Sequence, residues 1–356
     1  MKVERLGNTA VSKNINNNPS FKGFYNSKLL KRGLEFAADN GVMFSGATCV
    51  LLSSVFRPIA VLLTPKAKKE DKQYTCARSI TSGLLGFGVM AAVSVPIVKA
   101  VDKIMKNPAK FLKEKTIKNL QGNAKSLGKS GTFSFATQMV KLGSQFLTAE
   151  PKAYLSCALV PPLMTLLFNT DPHPNDKPLK KEEKPNGNVI KVGNSTITFK
   201  GRIGQAVTNT LSKGIAKFFN WEPLQKFSEK YKDTNLAQHM FSLNDIYLTA
   251  LFIKYTSKNK DIKEERKKTL NYNAGLVTGL TIPVSYGISK MLDRKTEKFI
   301  SNLKKANPND LKMDKYIEGV KIAKPALIMG ALYYIVAPVV STLLADVMAR
   351  KIDGKK

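Results

Sequence analysis

The chain has 356 residues, with 57 lysines and arginines against 26 acidic residues, a formal net charge of +31 and 43% hydrophobic content. That hydrophobic share excludes a largely disordered chain, and the charge calls for an anionic partner or an anionic surface. Three cysteines, Cys49, Cys76 and Cys157, imply no disulfide framework, and His173 and His239 are the only histidines on which a metal or hydrolytic centre could be built.

Residues 1–41 form a polar, Asn-rich leader and an amphipathic lead-in, with no cleavable secretory signal expected because the first apolar run starts only at Val42. Apolar runs then recur at 42–63, 79–98, 153–170, 236–253, 269–289 and 325–345. Each approaches the ~20 residues that a helix needs to cross ~30 Å of hydrocarbon. The cleanest are 79–98, 269–289 and 325–345; the run 42–63 holds Arg57, 153–170 is short, and 236–253 holds Asp245. The fold expected is all-α, a membrane protein of five or six spanning helices.

The runs fall into two groups of three, 42–170 and 236–356, separated by a basic linker over 171–235. Val95-Pro96-Ile97-Val98 resembles Ile282-Pro283-Val284-Ser285, and the run from Pro161 through Leu167 resembles that from Pro338 through Leu344. An internal repeat is expected on this basis. Three spans per half would place the halves in opposite orientations, the inverted arrangement of many transporters. Pro58, Pro96, Pro161, Pro162, Pro283 and Pro338 are candidate kinks, since proline frees backbone carbonyls inside a helix. Lysine and arginine divide almost evenly between the two sides of a six-span layout, so the positive-inside rule gives no orientation.

Within the linker, Val189-Ile190-Lys191-Val192 and Thr196-Ile197-Thr198-Phe199 flank Gly193-Asn194, the signature of a small hairpin outside the membrane. Helical spacing of apolar residues then predicts a basic amphipathic helix over 202–219. Lys213, Lys217, Phe218, Phe219 and Trp221 are candidates for the water–lipid boundary. Earlier, Pro108 ends a helix, 122–135 reads as a Gly- and Ser-rich break, and 136–147 as a second helix. Glycines at 83–88, and Gly275 with Gly279, are spaced for close helix contact.

A charge inside an apolar run costs roughly 2.5 to 3.5 kcal/mol on insertion scales, so Arg57 and Asp245 form the candidate intramembrane ion pair. No nucleophile–base pair, metal cluster or phosphate loop accompanies them, and neither a cofactor nor an enzymatic activity is expected. The lysines populate every connection at similar density instead of gathering beside aromatics, which speaks against nucleic acid. The expectation is a multi-pass protein of a bacterial-type cytoplasmic membrane, acting as a non-enzymatic scaffold that binds anionic headgroups and protein partners or copies of itself. A small-molecule or ion transporter is the alternative, and a soluble nucleic-acid-binding helical protein the third.

Overall fold

The computed structural model describes residues 22–63, 69–168, 202–259 and 264–337, and among these there are helices and turns but no strand. Two short helices, α1 (Lys22–Tyr25) and α2 (Lys28–Asp39), lead into α3 (Gly41–Leu51), a π-helical turn (Leu52–Phe56) and α4 (Arg57–Leu63), which together form one continuous helix. Next come α5 (Lys69–Lys106), the short α6 (Pro108–Phe111) and α7 (Glu114–Gln121), and α8 (Gly131–Phe168). At ~1.5 Å per residue, α5 and α8 each reach about 57 Å, far longer than a bilayer requires. The remaining helices are α9 (Arg202–Phe219), α10 (Glu222–Tyr231), α11 (Leu236–Lys258), α12 (Glu264–Met291), α13 (Asp293–Ala306) and α14 (Met313–Ala331), which runs into a second π turn (Leu332–Val336).

Paired contacts give the direction of each long helix. Ser144 Oγ donates to Ser94 at 3.0 Å while Lys152 lies against Gly86, so α5 and α8 are antiparallel. Gln145 donates to the Met240 carbonyl at 2.8 Å and Tyr255 donates to Glu150 at 2.9 Å, so α8 and α11 run parallel. The Thr249–Thr278 hydroxyl bond and His239–Tyr286, both 2.6 Å, make α11 and α12 antiparallel. Gly41 meets Ile322 and Gly330 meets Thr48, so α3 and α14 run parallel.

These directions correct the expected inversion. The helices α3–α4, α5 and α8 run down, up and down; α11, α12 and α14 do the same. Between the halves, α9 lies along α5, with Ser212 Oγ donating to the Ala100 carbonyl at 3.4 Å and Phe219 packed beyond it beside Ile104. It therefore climbs back in the direction of α5 before α11 descends. That extra upward segment is why three helices per half leave both halves the same way up.

Three helices are long and apolar enough to cross a membrane: Gly41–Leu62, Cys76–Lys106 and Met313–Val336, with mean hydropathies of 1.5, 2.0 and 1.3. The other three expected spans do not reach that standard. In 269–289 the run is diluted by Asn271, Tyr272, Asn273 and several threonines and serines. The run 153–170 is the apolar tail of α8, whose first half carries Gln138, Lys141, Ser144 and Gln145, all buried. Asp245 and its polar neighbours hold down α11.

Boundaries shift as well. Met313 starts α14 twelve residues before Pro325, which lies buried in its middle, and α8 begins at Gly131 instead of 136. The break before it is real but shorter: Gly122 ends α7 at φ 53°, which glycine adopts without strain, its N–H bonded to the Lys118 carbonyl. Pro108 sits in the first turn of α6, where its missing N–H costs nothing. The prediction for α9 matches, and the hairpin over 189–199 lies outside the described residues.

One end of this bundle resembles a soluble protein. Leu112, Leu120, Phe133, Ala136, Phe219 and Leu224 form an apolar core under α6, α7, α9 and α10, and Leu34, Leu303, Tyr316 and Val320 form a second one under α1, α2 and α13. Ion pairs ring these cores: Lys31–Asp310 at 3.0 Å, Lys312–Glu35 and Lys315–Asp39 at 2.7 Å, and Lys324–Asp293 at 2.5 Å. The other end turns its hydrocarbon outward. Leu51, Val55, Ile59 and Leu62, and again Leu276, Leu280 and Val284, are exposed stripes at helical spacing, joined by Leu159, Leu166 and Leu167 of α8 and Ile246 of α11. Only 22% of the apolar window of Gly41–Leu62 is covered by protein, which puts this helix on the periphery of the bundle.

Candidate functional site

The first π turn follows from proline chemistry. A proline at position i has no N–H and collides with the carbonyl of residue i−4. Pro338 lies outside the described residues; for Pro58 that carbonyl belongs to Ser54, inside the first π turn. Widening the helix by one residue moves the carbonyl aside, and the N–H groups of Arg57 and Ala337 reach back five residues to Leu52 and Leu332. The two widened turns pack against each other. Inside the first, the Ser53 carbonyl accepts Ser79 Oγ of α5 at 2.9 Å, and both serines are buried. π turns concentrate at functional sites. The remaining interior prolines behave differently: α5 continues past Pro96, α8 past 161 and 162, and α12 past Pro283.

Charged and polar side chains converge beside this crossing. The Cys49 thiol of α3 takes hydrogen bonds from Tyr334 and Ser45 and lies in the fields of Lys152 of α8 and Asp245 of α11. Lys152 is also the charge that acts on Asp245. Its stem crosses α5 at Gly86, where an added Cβ would sit 2.7 Å from Cε and 3.5 Å from Nζ. Gly86 is therefore the gap through which Lys152 enters the interior. Tyr333 lies in the fields of Arg57, Asp245 and Arg78 together. Cys49, Asp245 and Tyr334 are each half-buried.

Arg57 and Asp245 thus share one polar centre, but they do not form the expected ion pair: among the described residues neither makes a salt bridge, and Arg57 Nε is buried without a hydrogen-bond partner. Arg57 follows the π turn of its own helix and addresses Cys76 and the two tyrosines, whereas the partner charge of Asp245 is Lys152. Lys152 escapes a sequence reading because hydropathy segmentation ends the polar connection at that residue and starts the apolar run at Ala153. Buried polar atoms without partners among the described residues include Ser54 Oγ in the first π turn, Thr81 Oγ1 in α5, and Ser242 Oγ and Asn244 Oδ1 in α11. Leaving such an atom unsatisfied in a dry interior costs about 1–3 kcal/mol, so these positions suit water or a polar solute.

The boundary candidates fare unevenly. Phe219 is fully buried against Phe133, 6.2 Å between ring centroids, and is a core residue of the soluble-like end, not an interface anchor. Lys213, Lys217, Phe218 and Trp221 occupy the outer face of α9 and its C-terminus, with the Phe218 and Trp221 rings 5.9 Å apart. Close helix contact occurs at Gly83, which faces Ser53, and at Gly86, but nothing approaches Gly275 or Gly279. His239 is an exposed hydrogen-bond partner of Tyr286; His173 lies outside the described residues. Among the described residues no group of three His, Cys, Asp or Glu side chains could hold a metal ion.

No family model, curated protein or solved structure matches this chain, so the class of protein rests on the fold and on the polar centre themselves.

Proposed function

We propose that this is a multi-pass, membrane-embedded helical protein that binds and passes a small polar solute through the centre around the crossed π turns. The observation that carries the proposal is the inside-out arrangement of the outward-apolar end: leucine and valine stripes face outward while Cys49, Lys152, Asp245, Arg57 and Tyr334 meet within. A pure scaffold has no need to bring unpaired charges from four helices to one point, where each must be desolvated.

The halves support this reading as a parallel repeat, related by an axis along the membrane normal. Gly330 packs on Thr48 and Leu52; in the other half Ala153 packs with Leu251 and Leu248. Gly330 precedes Pro338 by eight residues, as Ala153 precedes Pro161. The contact between α14 and α3 thereby has its counterpart between α8 and α11, and the polar centre lies where the halves meet. Scaffold function remains the second reading, favoured by the exposed lysines and aromatics of α9 and α10 as a surface for anionic headgroups or protein partners.

Purified protein in sealed vesicles tests the proposal. Retention in alkaline-washed membranes together with protein-dependent flux of a small solute supports it. Release by the wash overturns membrane residence, and retention without flux for any charged or neutral small solute leaves the scaffold.

A further inference from the structure

Resting on that reading, we infer that the centre is selective for an oxyanion, a carboxylate or phosphate group, with Arg57 and Arg78 as the binding fork and Lys152 as a third cation. Among the described residues, four ionic side chains act on the groups at the crossing, and three of them are cations: Arg57, Arg78 and Lys152 against Asp245. None makes a salt bridge among the described residues, although most acids of the other end are paired to a lysine.

The guanidinium Nε of Arg57 is shielded from solvent and has no acceptor, while the five-donor fork of an arginine matches an oxyanion in two-point geometry. Tyr333 lies in the fields of both Arg57 and Arg78, and its hydroxyl is a further donor. A cation would meet a surplus of positive charge here. A neutral solute would leave the fork unpaired, at the cost that any desolvated charge carries. The oxyanion has two sources, a free anion or the headgroup of an acidic lipid entering from the exposed apolar face beside Phe56 and Ile59.

Cys49 reports on the centre because its thiol shares the fields of Lys152 and Asp245. In full-length protein carrying Cys76→Ser and Cys157→Ser, the rate of maleimide alkylation at Cys49 is measured in phosphatidylcholine nanodiscs, with ionic strength held by sodium chloride. Inorganic phosphate or acetate is expected to slow it at least fivefold, saturably, and Arg57→Gln or Arg78→Gln to abolish the protection, while the outer-face Lys217→Gln leaves it intact. Protection by phosphatidylglycerol in the disc, with none from free phosphate, assigns the oxyanion to a lipid headgroup; protection by free phosphate assigns it to a soluble anion. Equal protection by tetramethylammonium or sucrose overturns the oxyanion assignment and leaves the solute-binding reading standing. So does flux in vesicles with no anion effect at Cys49; loss of both flux and protection sinks the two together. Should Arg57→Gln fail to fold, Arg78→Gln decides alone.

Discussion

Around α1, α2, α7, α10 and α13, charge lies outside and hydrocarbon inside; around the π turn before α4, the last half of α8 and the π turn after α14, the exposed side chains of the described residues are mostly apolar and the charges Arg57, Lys152 and Asp245 are half-buried. The same amino acids therefore carry opposite consequences at the two ends. Lysines that complete exposed ion pairs at the first end, such as Lys312 with Glu35, become half-buried groups at the second, such as Lys152, whose charge acts on Asp245 without a direct salt bridge among the described residues. On the proposed membrane reading, the difference is set by the solvent that each end meets: water rewards a charged surface, and a bilayer rewards an apolar one while making interior polarity expensive.

The largest expected effect lies at the joint between the ends. A Cβ at Gly319 of α14 would run into the backbone carbonyl of Leu34 in α2, and backbone, unlike a flexible side chain, cannot step aside. Gly319→Val is expected to cost about 3 kcal/mol or more and to free α1 and α2 from the bundle. Limited proteolysis over 22–39 checks it; unchanged protection would mean that the helix pair is not held by this contact. Next in size is a core truncation at the water-like end. Leu120 is fully buried among Phe133, Phe219 and Leu224, so Leu120→Ala is expected to cost about 2–5 kcal/mol, read as a fall in Tm.

The contrast sharpens when one substitution is made at both ends. Leu51 and Leu311 are both exposed, Leu311 completely. Leu311→Asp, in the turn before α14, is expected to change stability by no more than about 0.5 kcal/mol, whereas on the proposed membrane reading Leu51→Asp, at the middle of the apolar helix Gly41–Leu62, costs about 2.5–3.5 kcal/mol on insertion scales. Membrane-integrated yield measures the second and Tm the first. Equal, small effects of the two would break the claim that the ends face different solvents.

Sequence made the helices and the apolar runs legible, because long stretches at helical period with few charges have few alternatives. Of the residues singled out by the sequence, Pro58 and Arg57 lie at the first π turn, and Arg57 and Asp245 both act on Tyr333 beside it. What stayed hidden depends on long-range geometry. The direction of the second half turns on α9 climbing beside α5, a consequence of Ser212, Ala216 and Phe219 finding partners more than a hundred residues away. Lys152 reaches the centre only because Gly86 leaves room on another helix. The first π turn was foreshadowed by Pro58, but a proline alone does not say whether a helix bends, ends or widens.

A buried pair at the joint offers a directional test. Lys141 is 3% exposed and bonds Asp102 at 2.9 Å, while Asp102 is 43% exposed. Asp102→Ala strands a buried ammonium and is expected to cost about 3 kcal/mol; Lys141→Met leaves a carboxylate that water can reach and is expected to cost markedly less. Denaturant midpoints of the two variants check the order, and equal losses would mean that Lys141 finds another acceptor.

The smallest effect is a pH slope confined to the water-like end. Hydrogen bonding from Lys312, reinforced by Lys315, holds the Glu35 carboxyl below its ordinary range, and Lys31 does the same for Asp310. Since the folded pKa is depressed, each acid binds its proton more weakly in the folded state. Its contribution is therefore complete above the unfolded pKa, near 4, and is lost as pH falls through the lower folded value. Exposed pairs of this kind are worth about 1 kcal/mol at most, so the slope is shallow. Lowering the pH from 5 to 3 is expected to loosen the packing of α2 on α14, seen as lower protection of α2 amides relative to their intrinsic exchange rates at each pH, and Glu35→Gln is expected to flatten that response. Interior exchange around Cys49 should not follow it, because the acids that titrate in this window at the outer end do not reach the crossed π turns. A parallel loss at both ends would mean that the outer ion pairs hold the centre together as well.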